Sequence, residues 1–297
     1  MTATRRTVAG ARWRQGTAPG LCDRPQTKTK RDMSSRLRKR SGRRTAIVGA
    51  LGALLALALA ASAIGAGGEG PVTVKVGNLE LTANGGFTPK ALSKTKQTPI
   101  ELKAAGEIKE ADGSHPPAIR EVVLEGDKAA EVHLKGIPVC KSGQLQATDT
   151  TAAKKACAKA LIGEGEATAQ VAFAEQKPIN VNSKILVFSG GEKGGKATMF
   201  VHAYFSDPIS GAIVTTVTIT KHKHGRFGTL AVAKIPQITG GSGSITKFNL
   251  NIDKSVAGKN PISSTCQDGK LKVHVLGKFE DGTKAETEIV RACTPKA

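Results

Sequence analysis

ATMFVHAYFS at residues 197–206 and AIVTTVTITK at residues 212–221 decide the fold class of this chain. In the first stretch Phe200, His202 and Tyr204 alternate with the apolar residues Met, Val, Ala and Phe, and in the second stretch threonines alternate with valine and isoleucine. Alternation with a period of two residues indicates β-strands whose two faces meet different surroundings. The two stretches therefore predict strands of a sheet, with the first strand central and the threonine face of the second toward solvent.

Similar short runs recur from residue 72 to the C-terminus, and Gly, Pro, Asn and Asp separate them. They include VTVKVGNLELT (72–82), KILVFSG (184–190), TLAVAKI (229–235), SITKFNLNI (244–252) and KLKVHVLGKF (270–279). Regularly spaced strands with turn residues between them predict a mainly β protein, an antiparallel β-sandwich. One large sandwich or two smaller packed ones, with halves 72–190 and 195–297, both fit this pattern.

Two local elements can be predicted in more detail. The Ala- and Lys-rich run ATDTTAAKKACAKALIG predicts one short α-helix at about 150–162, with Thr148 or Asp149 as N-cap and Gly163 as its stop. Near the C-terminus, a three-residue loop at 281–283 would place Val275 opposite Ile289, which joins apolar residues across a hairpin.

The formal net charge of +20 is unevenly distributed along the chain. Residues 1–66 contain 14 Lys or Arg and two acidic residues, whereas residues 67–297 contain 30 and 22, and 27 of those 30 bases are Lys. Proteins that bind nucleic acid concentrate Arg for bidentate contacts with phosphates and bases. The Lys-rich remainder therefore argues against nucleic acid as a partner.

Residues 33–66 are typical of a secretory signal peptide. The basic segment MSSRLRKRSGRR precedes an uncharged run from Thr45 to Ala63, which ends in Ala-Ser-Ala, and cleavage after Ala63 or Ala66 fits equally well. An uncleaved membrane anchor is the alternative. Because Met33 opens the basic segment, residues 1–32 are interpreted as a gene-model extension or a disordered lead. Residues 67–297 would then be the secreted region, without a membrane span.

The cysteines agree with export. Cys140, Cys157, Cys266 and Cys293 lie in the region predicted to be secreted, and an even number there predicts disulfides. Of the three connectivities, the sequence-local pairs Cys140–Cys157 and Cys266–Cys293 are preferred. A zinc site would need short C-x2–4-C pairs, which this spacing lacks.

Three segments of the sequence resemble a known group of proteins. They are GIPVCKSGQLQATDTTAAKKACAKALIGEGEA, HGRFGTLAVAKIPQITGGSGSITKF and CQDGKLKVHVLGKFEDGT. Over most of residues 118–297 the chain resembles a group of uncharacterised secreted β-rich proteins from high-GC bacteria. The resemblance implies export and a disulfide-bonded β fold, and it assigns no catalytic residues.

KHKHGRFG at residues 221–228 is the strongest candidate site in the sequence. Strand alternation places His222 and His224 on one face, where two histidines can share a metal ion, although further ligands are not evident nearby. Lys221, Lys223 and Arg226 could contact an anion. The two glycines of the segment fit a hairpin tip in solvent, which is the preferred interpretation.

A second candidate is a pocket lined by Phe200, His202 and Tyr204, although a hydrogen-bonded structural histidine is preferred at position 202. Hydrolase motifs such as G-x-S-x-G and H-E-x-x-H are absent from the sequence, and no cofactor is predicted. We therefore expect a secreted, non-catalytic extracellular or cell-envelope protein with a structural or binding role. The alternatives are a module that binds an anionic cell-wall polymer or a small apolar ligand, and an enzyme with an unrecognised site.

Overall fold

The computed structural model describes residues 69–206, 210–222 and 225–296. The predicted signal peptide and the residues before it lie outside these ranges. The strands are β1 (Val72–Val76), β2 (Leu79–Thr88), β3 (Ala91–Ser93), β4 (Thr98–Pro99), β5 (Glu101–Glu110), β6 (Ile119–Asp127), β7 (Ala130–Val132), β8 (Leu161–Phe173), β9 (Gln176–Lys193), β10 (Lys196–Phe205), β11 (Gly211–Lys221), β12 (Phe227–Lys234), β13 (Gly243–Ile252), β14 (Ile262–Ser264), β15 (Lys270–Phe279), β16 (Lys284–Ala292) and β17 (Thr294–Lys296). The α-helix α1 is Thr150–Ala156, and short 3-10 helices span Ser142–Gln144, Ala158–Ala160 and Thr239–Gly241.

Twelve strands form one antiparallel sheet in the order β1-β2-β5-β13-β8-β9-β10-β11-β12-β6-β15-β16. The edge strands β1 and β16 contact each other, so the sheet curls until it is nearly closed. The predicted mainly β, antiparallel fold with one short helix is confirmed. Strands from the two candidate halves interleave, since β5 pairs with β13 and β6 pairs with β12, and residues 69–296 belong to one compact unit.

Buried apolar clusters occupy both ends of the inner face of this sheet. At one end Met199, Ile252 and Leu271 pack with residues of two small sheets, β4-β14-β7 and β17-β3. At the opposite ends of the same long strands, Phe279 belongs to a second cluster and Phe205 to a third. The small sheets therefore cover one end of the large sheet.

Both predicted disulfides are present. Cys140 is bonded to Cys157, and Cys266 is bonded to Cys293. The first bond attaches the segment around α1 to the end of β9, because the backbone N–H of Cys140 also donates to the carbonyl of Ser189 at 2.8 Å. The second bond belongs to the end cluster that contains Leu271.

The helix is shorter than the sequence predicts. Asp149 is the N-cap, and its Oδ1 accepts a hydrogen bond from the N–H of Ala152 at 2.7 Å. The α-helix ends at Ala156 instead of near residue 162, because Leu161 begins strand β8, which pairs with β9 and β13. Pairing and burial in the sheet thus override the helix propensity of the Ala-rich segment. No helix in the described ranges is long and apolar enough to cross a membrane.

The predicted register of the β15–β16 hairpin is wrong by two residues, although the two faces are assigned correctly. Val275 lies opposite Thr287, and Ile289 lies opposite Val273. The N–H of Phe279 bonds to the carbonyl of Thr283, so the three loop residues are 280–282 instead of 281–283. Gly282 has a φ of +88° and takes the last loop position, where a left-handed conformation is required.

Candidate functional site

The hairpin tip at 221–228 is tied to neighbouring strands by acidic partners. Arg226 forms an ion pair with Glu288 of β16, and its guanidinium lies 4.8 Å from the centre of the Phe227 ring. Lys221 lines a small cavity of about 70 Å³ together with Lys128, Glu131 and Glu192. Lys223 lies outside the described residues. Lys221 and Arg226 thus each lie near carboxylates, which reduces the positive charge that an anion would meet.

A carboxylate also lies between two imidazoles at this tip. Glu125 of β6 is 2.9 Å from Nδ1 of His274 and 3.6 Å from Nε2 of His222. No local pattern in the sequence indicates this contact, because Glu125, His222 and His274 come from segments far apart in the chain. In the described part of the chain no group of three or more His, Cys, Asp or Glu has a geometry suited to a metal ion. The His222–His224 metal pair stays a prediction, since His224 lies outside the described residues.

His202 is completely buried beneath α1, on the face of β10 that it shares with Phe200 and Tyr204. Leu145 and Ala153 are buried in the same region, where they pack with Phe188 of β9. His202 lines neither the small cavity beside Lys221 nor the open trough on β2, β5 and β13. The three residues proposed as a pocket therefore lie on a face that the helix covers.

One hydrogen bond sets the tautomer of the neutral His202 ring. Its Nε2 lies 3.0 Å from the carbonyl oxygen of Thr148. A carbonyl can only accept, so Nε2 carries the proton and Nδ1 presents a lone pair. Within the described residues that Nδ1 is buried without a partner. Burial lowers the pKa of His202 below its ordinary value, opposed by the Thr148 hydrogen bond and the charge of Asp149. The Thr148 hydrogen bond thus joins the buried imidazole to the loop before α1.

An open trough of about 410 Å³ crosses β2, β5 and β13 on the outer face of the sheet. In the strand register Asn84 lies opposite Ala105, which lies opposite Asn249. The next row joins Gly86, Lys103 and Asn251 in the same way. Small residues form the floor, and amide and ammonium groups stand above it. We take this feature, the polar trough, as the candidate functional site.

Glycines in β8 set the position of the β13 wall. A Cβ atom at Gly165 would collide with the carbonyl oxygen of Asn249, and one at Gly163 would collide with that of Asn251. The two strands therefore approach closely only because both positions lack side chains. On the other wall Asn84 is held in place, because its Oδ1 accepts hydrogen bonds from Arg291 at 2.7 Å and from the N–H of Gly85 at 2.9 Å.

The polar trough has a small excess of positive charge at one end. Lys90 lies 3.0 Å from the carboxylate of Glu69, and its hydrogen bond lowers the pKa of that carboxyl group. The same ammonium lies 4.6 Å from the centre of the Phe87 ring. Lys103, on the adjoining strand, is exposed. Two lysines face one glutamate here, so the trough suits a polar ligand with some negative charge.

The sequence signal for the polar trough was weak, because its residues come from three segments far apart in the chain. Asn249 and Asn251 alternate with apolar residues, which predicts a polar strand face but not its neighbours. Comparison of the chain with protein-family models, with curated proteins and with solved structures gives no match.

Proposed function

We propose that this chain is an exported, non-catalytic binding protein that holds a hydrated anionic polymer of the cell envelope in the polar trough. The observation that carries the proposal is the row of amides and lysines over a floor of Gly86 and Ala105. Amide groups both donate and accept hydrogen bonds, which suits hydroxyl and phosphate or carboxylate groups of a polymer. Lysine adds a salt-sensitive attraction to the anionic groups.

Other features support an extracellular location. The two disulfides persist in oxidising compartments, and the predicted signal peptide would deliver the chain there. The trough is open to solvent, which leaves room for a polymer chain to lie along it. Aromatic residues are scarce, 3% of the sequence, so stacking against neutral sugar rings contributes little to this mode of binding.

Retention on isolated cell walls tests the proposal. The disulfide-bonded protein should bind walls with an affinity that falls as salt is added, because exposed charge contacts are screened. Lys103→Gln should weaken retention about two- to fivefold, the effect of an exposed ion pair of about 0.5–1 kcal/mol. Lys247→Gln is the matched control, since Lys247 lies on the same outer face, opposite Glu107.

The outcomes separate three cases. Retention that is lost in both variants to the same degree would mean that general surface charge binds the wall. Retention without salt dependence would point to a neutral polymer. If the protein is not retained at all, a structural role would be the remaining explanation. The nearly closed, disulfide-bonded sheet favours that role.

A further inference from the structure

On several strands the inner face of the sheet is buried at the ends but only partly buried in the middle. On β10 the inner-facing Met199 and Phe205 are buried, whereas Val201 and Ala203 between them are partly exposed. Strands β13 and β15 show a similar pattern: Gly243, Ile252, Leu271 and Phe279 are buried, and Phe248, Leu250, Val273 and Val275 are partly exposed. Three strands on different sides of the molecule thus give a similar profile.

Leu124 of β6 shows the incomplete burial of inner-facing side chains most clearly. Its cross-strand neighbours are Ala231 of β12 and Val275 of β15. Ala231 packs against the buried end cluster, and Val275 lies opposite the buried Thr287, so Leu124 also points inward. Nevertheless 37% of Leu124 is accessible to solvent. An inward leucine in a filled core would be almost fully buried, because protein interiors are close-packed.

Both ends of this interior region are closed. At one end Leu92, Ile100 and Ile262, from the segments of the two small sheets, are buried in the cluster that contains the Cys266–Cys293 disulfide. At the other end Phe279 packs with Ile108, and Phe205 lies in the same cluster as Ile238. The partly exposed side chains therefore surround a central chamber between two packed ends.

The lining of the central chamber defines the chemistry of its ligand. Its walls are apolar at Val201, Val217, Ala233, Phe248 and Leu250, and a hydroxyl is contributed by Thr215. None of the inner-facing positions between the end clusters of the described strands carries a charged side chain. Arg291, which is inner-facing, lies at the level of Leu271 and bonds to the carbonyl oxygens of Gly70 and Gly85.

The size of the chamber follows from strand geometry. On β10 and β15, two successive inner-facing positions are only partly buried between the packed ends. Such positions are about 6.8 Å apart along a strand, so the unpacked section is about 13 Å long. We infer that the central chamber is a binding site for a small, uncharged apolar molecule of about this length.

The inference is tested by comparing the binding of a neutral dye with the binding of its charged counterpart. N-phenyl-1-naphthylamine is uncharged and fluoresces strongly in apolar surroundings, and 1-anilinonaphthalene-8-sulfonate is the same ring system with a sulfonate. The disulfide-bonded protein should bind the neutral dye saturably and at least about tenfold more tightly than the sulfonate, because an unpaired charge is strongly disfavoured in an apolar site.

A pair of adjacent substitutions provides the control. Ala233→Phe adds a ring inside the central chamber, whereas Val232→Phe adds one on the outer face of the same strand. Ala233→Phe should abolish the saturable dye binding without lowering the melting temperature, because the ring enters unpacked space. Val232→Phe should leave dye binding unchanged. In a filled core the extra ring of Ala233→Phe would instead overpack the interior and lower the melting temperature.

Two results would overturn the inference: equal affinity for the two dyes, or a large fall in melting temperature for Ala233→Phe alone. Neither result bears on the polar trough, because Lys103 lies on the outer face and wall retention is measured without dye. Conversely, Lys103→Gln should leave binding of the neutral dye unchanged, so the two sites can fail independently.

Discussion

At the scale of single residues, burial removes His202 from the candidate pocket and makes it part of the packing beneath α1. Strand alternation in the sequence places its side chain on one face of β10 with Phe200 and Tyr204. The cover over that face comes from α1 and the loop before it, which supplies the Thr148 carbonyl. A carbonyl acceptor fixes the neutral tautomer, and the buried Nδ1 has no acceptor that could stabilise a second proton.

We predict that His202 makes the protein less stable in mild acid. Its pKa is lowered on folding, so the unfolded chain binds more protons than the folded one below about pH 6.5. Above that pH, His202 should not reduce the free energy of unfolding. Below it, stability should fall by about 1.4 kcal/mol per pH unit until the folded-state pKa is reached.

Urea unfolding between pH 7.5 and 5 measures this slope. His202→Gln should flatten it relative to the unsubstituted protein, since glutamine does not titrate. His133→Gln, at a side chain 47% exposed, should keep the slope. A slope that His202→Gln leaves intact would show that other groups cause the acid sensitivity.

At the scale of elements, two features determine the β15–β16 hairpin. Side-chain alternation determines which residues share a face, and the turn determines which residues lie opposite each other. Alternation assigns the correct residues to each face, because a shift of two residues preserves the faces. The exact partners depend on the loop conformation, and the left-handed φ of Gly282 selects residues 280–282. Lys278 consequently faces Lys284 across the hairpin, and its ammonium bonds instead to Glu121 of β6 at 2.6 Å.

We predict that Gly282→Ala lowers the free energy of unfolding by about 1–2 kcal/mol, because a left-handed conformation is unfavourable for an L-residue with a side chain. Gly211→Ala is the control, since a Cβ there meets no atom within 4 Å and the backbone is not left-handed. It should change stability by less than about 0.5 kcal/mol. Equal effects of the two substitutions in chemical denaturation would contradict the loop assignment.

At the scale of the whole molecule, Arg291 joins the strands where the sheet nearly closes. It lies on β16, is 5% exposed, and donates to the carbonyl of Gly70 and the side chain of Asn84 at 2.8 and 2.7 Å. A further bond reaches the carbonyl of Gly85 on β2. A single guanidinium thus connects the last strand of the sheet to β2 and to the residues that precede β1.

We predict that Arg291→Met lowers the free energy of unfolding by at least about 3 kcal/mol, because several part-buried hydrogen bonds from one buried, charged donor are lost together. Lys284→Met, at an exposed position on the same strand, is the control and should have little effect. Denaturant unfolding compares the two variants. A small loss for Arg291→Met would mean that contacts of β1 with β16 suffice to close the sheet.

Local patterns in the sequence were sufficient for the secondary structure of the long strands, for the position of the helix start and for the cysteine pairing. Each of these depends on side-chain alternation, a capping residue or short separation along the chain. Export, residues 1–66, the resemblance to secreted β-rich proteins and the His222–His224 pair stay predictions, since they lie outside the described residues or are not tested by them.

Tertiary structure alone decided the strand order, the early end of the helix and the polar trough, and the central chamber is inferred from it. The trough brings together residues near positions 84, 103 and 249, and the partly exposed inner positions belong to strands from both halves of the chain. A strand's own sequence determines which side chains share a face, because that depends only on the two-residue period of its backbone. Which strand lies beside it depends on contacts between distant residues, and no local pattern encodes those.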